Sequence, residues 1–99
     1  MNMQQLMQQA QKMQRDIAKK KEEIDGTIFE SEVSWVKVSF NGKKELVTIN
    51  IQKEKVIETQ DIEMLEDMIK VACNECLKKI DKETEAKLGQ YSSAMNGLL

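Results

Sequence analysis

The chain has 99 residues, a formal net charge of −2 and no histidine. A length near 100 residues is that of one domain with a modest hydrophobic core. The missing histidine removes the commonest general base and metal ligand, together with the Ser-His and Cys-His nucleophile pairs. We therefore expect neither enzyme activity nor a cofactor, a metal site or a small-molecule substrate.

The first predicted element is a helix over residues 3–24 that carries a heptad. Its apolar side chains recur in alternating steps of three and four, the spacing of a seam that meets another helix. Lys20 occupies one seam position, where it either marks the end of the packed region or snorkels to solvent. Gly26 predicts the end of the helix. The apolar seam residues are Met3, Leu6, Ala10, Met13, Ile17 and Ile24.

Residues 27–52 change to the two-residue period of strands. Residues 27–32 predict a first, weaker strand, which a turn near residues 31–34 returns to a hairpin. Asn41-Gly42 predicts a two-residue type I′ turn in this hairpin, pairing Phe40 with Lys43 and Val36 with Val47. That register places Trp35 and Leu46 on one face of the sheet. The opposite, core face then holds Val36, Val38, Val47, Ile49 and Ile51.

The last predicted element is a second long helix with a wide apolar stripe. Thr59 or Asp61 predicts its N-cap, and it runs to about Lys87 before Gly89. Acidic residues at its start and basic residues near its end complement the helix dipole. Residues 1–90 are expected to form the domain and 91–99 a flexible tail. The stripe consists of Leu65, Met68, Ile69, Ala72, Cys73, Cys76, Leu77 and Ile80, and its width indicates that it faces a core.

The two cysteines form a Cys-x-x-Cys pattern within this stripe. A zinc site would need two further ligands, which only a second chain could supply, and a redox pair is expected at a helix N-terminus. We therefore favour packing as their role. Two apolar-face thiols fit a reducing cytoplasm, and no apolar run approaches the roughly 20 residues of a membrane span. We expect a cytoplasmic protein without a membrane partner.

The predicted class is α+β, in the order helix, three-stranded antiparallel meander, helix. A helix of 22 residues is about 33 Å long, more than so small a sheet can cover. Part of the first helix must therefore project or pack on a second chain.

Two segments at opposite ends of the chain resemble the YbaB/EbfC family of nucleoid-associated proteins. The opening Leu6-Met7-Gln8-Gln9-Ala10-Gln11-Lys12-Met13-Gln14 is similar to the family's first helix, and residues 64–80 are similar to its second long helix. The family usually has glycine in the first turn of the sheet, where this chain has Glu32-Val33-Ser34. The resemblance implies a homodimer with projecting helices that binds duplex DNA at the nucleoid, organising the chromosome or modulating gene expression.

Charge is segregated along the chain. Residues 58–67 hold five acids and no base, and outside them 15 Lys and Arg face 12 Asp and Glu. Composition alone favours the interpretation that the Lys and Arg side chains form a solvated face. The resemblance favours contacts of these side chains with DNA phosphates, with weak sequence preference. Lys12, Arg15 and Lys19 form the best ridge, and the full set of candidate DNA contacts adds Lys20, Lys78 and Lys82. Candidate dimer or core residues are Leu6, Met13, Ile17, Leu65, Ile69 and Cys73.

A second hypothesis is a protein–protein adaptor. The heptad helix would then recruit a replication, repair or regulatory partner. The acidic segment 58–67 and the negative net charge favour this alternative.

Overall fold

Two long helices and a three-stranded antiparallel sheet form the computed structural model, which describes residues 2–52, 54 and 56–92. The elements are α1 (Met3–Asp25), β1 (Ile28–Val33), β2 (Val36–Asn41), β3 (Leu46–Ile51) and α2 (Ile62–Leu88). Short 3₁₀ helices, Thr59–Asp61 and Gly89–Tyr91, precede and follow α2. The predicted α-β-β-β-α order is confirmed.

Helix α1 is capped at both ends by the residues that flank it in the sequence. The Asn2 side chain accepts the Gln5 N–H at 2.8 Å, and the Gln5 side chain accepts the Asn2 N–H at 3.4 Å. This reciprocal capping box satisfies backbone donors that the first turn would otherwise leave unpaired. The helix ends at Asp25, directly before Gly26 as predicted, and the Gly26 N–H donates to the Glu22 carbonyl.

The β1–β2 turn consists of Ser34 and Trp35, which Val33 and Val36 flank as a strand pair. Ser34 has a φ of 51°, a left-handed conformation that favours glycine. A positive φ at only the first central residue is the pattern of a type II′ turn. The turn was expected near residues 31–34 and is formed by residues 33–36, two positions later. Trp35 therefore lies in the turn and not, as expected, on one face of a strand.

The β2–β3 hairpin does not contain the predicted type I′ turn. The Lys44 N–H donates to the Asn41 carbonyl (3.0 Å) and the Asn41 N–H to the Glu45 carbonyl (3.1 Å), which closes a three-residue loop. Lys44 takes the left-handed conformation with a φ of 65°, and neither Asn41 nor Gly42 has a positive φ. The Asn41 Oδ1 accepts the N–H groups of Lys43 and Glu45. Asparagine thus stabilises this turn through its side chain.

The longer loop shifts the pairing of β2 with β3 by three residues next to the loop, and a bulge increases the shift to four residues further along the strands. The predicted pairs Val36–Val47 and Phe40–Lys43 are wrong, because Val36 pairs with Ile51 and Phe40 with Leu46. A bulge at Ser39–Phe40 separates that last pair from the rest of the ladder. The Leu46 backbone thus lies opposite core residue Phe40, where Lys43 was expected. The prediction for Ile49 is right, since it lies opposite Val38 on the core face.

Helix α2 packs its apolar stripe on strands β1 and β2, as predicted. Asp61 directly precedes the helix, and its carboxylate accepts the Glu58 N–H at 2.9 Å. The main cluster consists of Val36, Val38, Phe40, Ala72, Cys76 and Ile80. Burial of a valine, isoleucine or phenylalanine side chain contributes about 1.5–3 kcal/mol to folding. Leu65, Met68, Ile69, Cys73, Leu77, Phe29 and Val33 pack around it.

A second, smaller cluster joins the end of α1 to the end of α2. Ile17, Ile24 and Leu88 are buried in it, and Tyr91 packs against them. Of the predicted tail, residues 93–99 lie outside the described residues, so its flexibility stays a prediction. Gly89 follows the last residue of α2, as expected for the residue that ends it.

Candidate nucleic-acid interface

The basic ridge of α1 projects from the packed part of the chain. Its members, Lys12, Arg15 and Lys19, are all exposed, and every described residue from 2 to 15 is exposed with them. Spacings of three and four place the three side chains on one helical face. Among the ion pairs between described residues, none involves a ridge residue. Their charged groups are therefore accessible to an external anion.

Lys20 is held differently from the ridge. It is half-buried, its Nζ lies 5.0 Å from the centre of the Tyr91 ring, and the same atom lies 3.5 Å from the Tyr91 hydroxyl. A cation over an aromatic face is attracted by the ring quadrupole. Lys20 thus joins the two helices at its seam position, and its role at DNA stays a prediction.

The α2 candidates, Lys78 and Lys82, are exposed and lie one helical turn apart. Neighbouring lysines are engaged within the protein. Lys79 Nζ donates to the Glu30 carbonyl at 2.5 Å, and Lys87 pairs with Glu83 at 3.4 Å. Lys78 and Lys82 are in none of the ion pairs between described residues, so they form a second accessible basic pair.

The candidate dimer and core residues divide into two groups. Ile17 is buried between the helices, and Leu65, Ile69 and Cys73 are half-buried against the sheet. Leu6 and Met13, by contrast, are 49% and 42% exposed. The first half of the α1 seam therefore has no packing partner within the described residues of one chain.

The cysteines occupy packing positions. Cys76 is fully buried and its thiol donates to the Phe29 carbonyl at 3.2 Å. Burial, with a smaller contribution from Cys76, raises the pKa of the Cys73 thiol above its ordinary value. A raised pKa keeps the thiol protonated and unreactive at neutral pH. Within the described residues, no cluster of three or more acidic or cysteine side chains could hold a metal ion.

Nearly the whole chain matches one family of proteins. A profile of the YbaB/EbfC DNA-binding family covers residues 1–95. The chain belongs to the YbaB/EbfC DNA-binding family. This confirms the resemblance of the two helices, and the family is architectural rather than enzymatic.

Relatives from several bacteria extend the match over nearly full lengths. A nucleoid-associated protein of Ligilactobacillus salivarius is 39% identical, over 99% of this chain and 95% of its own length. One from Clostridium botulinum is 43% identical, over 96% of this chain and 85% of its own length. The crystal structure of the uncharacterized protein HP0035 from Helicobacter pylori matches with a TM-score of 0.68 and 26% identity. That match covers 100% of this chain and 99% of the other.

Two features near the interface were not predicted from the sequence. Tyr91, at the start of the predicted tail, contacts Lys20. The hairpin tip packs on the end of α1 through Gly42 and is tied to α2 by the Lys44–Asp81 ion pair at 2.8 Å. Neither contact has a local sequence signal, because both join residues far apart in the chain.

In the described part of the chain, neither helix is apolar enough to cross a bilayer.

Proposed function

We propose that this protein is a homodimeric, nucleoid-associated protein that binds duplex DNA mainly through phosphate contacts. One observation carries the proposal: a projecting helix presents three exposed cations without ion-pair partners among the described residues, in a chain of a DNA-binding family. Lys12, Arg15 and Lys19 contact phosphates, and Lys78 and Lys82 add a second set. Such a protein organises the chromosome or modulates gene expression within the cytoplasmic nucleoid.

Dimer formation is inferred from apolar surface that the single chain leaves open. Along α1, Met3, Leu6 and Met13 are 76%, 49% and 42% exposed. All six residues of β3 are exposed, including Ile49 and Ile51 on the face that elsewhere packs on α2. Exposed apolar surface on this scale marks an interface, and a heptad seam fits another helix.

The overall dimensions agree with an incomplete core. The described chain measures 70 × 18 × 17 Å and has a radius of gyration of 19.5 Å. A compact chain of this length has a radius of gyration of about 13 Å. A second copy, related by twofold symmetry, would cover the β3 face and the α1 seam and would double the basic ridge.

Phosphate contacts account for binding with weak sequence preference. The ridge from Lys12 to Lys19 is about 10 Å long at 1.5 Å per residue, a length that meets several phosphates of one duplex. It contains one arginine and no asparagine, so it offers few of the bidentate donors that read base edges. Affinity should therefore depend more on salt than on sequence.

Two measurements test the proposal. Fluorescence anisotropy of a labelled 30-base-pair duplex across a salt series should give an affinity that falls steeply and linearly on a log–log plot. Sedimentation equilibrium at micromolar concentration should give twice the chain mass of 11.4 kDa. A monomeric mass, or no binding at 50 mM salt, would refute the dimer or the DNA-binding proposal respectively.

A further inference from the structure

The tip of the β2–β3 hairpin rests directly on the backbone at the end of α1. A Cβ added to Gly42 would lie 1.8 Å from the Ile24 carbonyl oxygen and 2.3 Å from the Ile24 carbonyl carbon. Both atoms belong to the helix backbone, so no side-chain movement could make room. Since Gly42 has no positive φ, its glycine is needed for this close approach and not for turn conformation.

The tip that meets α1 is held from both sides. Asn41 fixes the loop because its Oδ1 accepts the N–H groups of Lys43 and Glu45, at 2.9 and 3.1 Å. Lys44 then pairs with Asp81 of α2 at 2.8 Å. The end of α1 therefore lies against a loop that is connected to the other long helix.

Within the described residues of one chain, α1 has few other restraints on its direction. Its buried residues, Ile17 and Ile24, lie in the cluster with Leu88, whereas residues 2–15 are all exposed. Seven residues separate Ile17 from Ile24, about 10 Å of helix, and fourteen separate Ile17 from Met3, about 21 Å. With Ile17 as the pivot of a rigid helix, a displacement at Ile24 is thus roughly doubled at Met3, the free end of the helix.

We propose that Gly42 is a positioning residue that sets the direction in which α1 carries its basic ridge. Its link to DNA binding rests on the proposed function, whereas its effect on the helix does not. An alanine at this position would have to move the α1 backbone by about 1.6 Å to reach an ordinary contact of 3.4 Å. The lever then moves the Met3 end by about 3 Å.

Gly42→Ala and Gly26→Ala form a matched pair of variants. Both remove one glycine near the same helix end, but a Cβ at Gly26 would meet its nearest atom, the Glu22 carbonyl oxygen, at an ordinary 3.6 Å. Spin labels at Gln9→Cys on α1 and Glu75→Cys on α2, in a Cys73→Ser, Cys76→Ala background diluted with unlabelled chain, report the angle by pulsed electron spin resonance. Unlabelled chains with the native cysteines, analysed by circular dichroism and duplex anisotropy, report folding and affinity.

Gly42→Ala should shift the label distance by about 2 Å, the displacement that the lever gives at Gln9, and weaken duplex binding at least fivefold, with unchanged helix content. Gly26→Ala should leave the distance within 1 Å and the affinity within twofold. An unchanged distance in a folded Gly42→Ala variant would overturn the proposal. So would equal effects of the two substitutions.

Asp81→Asn gives a second test that adds no bulk and applies even if Gly42→Ala fails to fold. It releases the hairpin tip from α2, so the distance distribution should broaden, and an unchanged width would overturn the proposal. Absence of DNA binding by the wild type would refute the proposed function alone, since the distance measurement needs no DNA.

Discussion

Neutralising the ridge of α1 should flatten the salt dependence of DNA binding. The variant replaces Lys12, Arg15 and Lys19 by glutamine, which is uncharged and polar and has a similar helix propensity. All three residues are exposed and are in none of the ion pairs between described residues, so the free energy of unfolding should change by no more than about 0.5 kcal/mol.

The size of the effect follows from the number of cations. Each phosphate neutralised contributes about 0.9 to the slope of log K against log salt. Three residues from each of two copies would therefore lower the slope by about 5. Between 50 and 200 mM salt, the wild type should lose roughly 10³-fold more affinity than the variant.

A control variant removes three charges that are already engaged. Lys37 and Lys87 pair with Glu30 and Glu83, and Lys79 donates to the Glu30 carbonyl. Their replacement by glutamine changes net charge equally and should alter the slope by about 1 or less. Anisotropy titrations at four salt concentrations measure both slopes. Equal slopes for the two variants would refute the ridge and leave only an effect of net charge.

Four further predictions concern the fold, the dimer seam and the Cys73 thiol. Ser34→Gly should raise the free energy of unfolding by about 0.5–1 kcal/mol in guanidinium titrations, because Ser34 has a φ of 51°; a loss of stability would contradict this. Ile17→Ala should cost about 2 kcal/mol or more, since Ile17 is 6% exposed. By contrast, Met13→Ala should make the unfolding midpoint more sensitive to dilution, and an unaltered midpoint at all concentrations would exclude Met13 from the dimer seam. The raised pKa of Cys73 predicts slow alkylation by iodoacetamide at pH 7, and the rate should increase as pH rises and the thiolate forms. Rapid labelling at neutral pH, measured by mass spectrometry, would contradict this.

The sheet shows how a wrong register can still predict the right face. The expected hairpin register was wrong by four residues, yet Ile49 and Ile51 lie on the core face as expected. Side chains alternate with a period of two, so any even error preserves the face. Only the bulge at Ser39–Phe40 breaks this parity, and there Leu46, which was expected on the other face, lies opposite core residue Phe40.

Local signals predicted the helices better than the contacts between them. The stripe of α2 has a period that can be counted in the sequence, and Cys76 and Ile80 are fully buried as it requires. The heptad of α1 predicted that its apolar seam meets another helix, and the first half of that seam is exposed in one chain. A heptad indicates that its apolar side chains pack against another helix. It does not indicate whether that helix belongs to the same chain or to a second one.

The role predicted for Gly42 was wrong. Asn41-Gly42 is a strong signal for a turn that needs positive φ, and the chain does turn there. The left-handed residue is Lys44, however, and Gly42 is needed because the helix backbone lies against it. Contact between residues 24 and 42 depends on tertiary packing, which no local pattern contains.

The extended shape of α1 also affects how the molecule diffuses. A radius of gyration of 19.5 Å, about half again the value for a compact chain of this length, gives one copy more frictional drag than its mass suggests. A single copy should therefore elute from a size-exclusion column at the position of a heavier globular protein. An early elution volume is thus compatible with one subunit as well as with two.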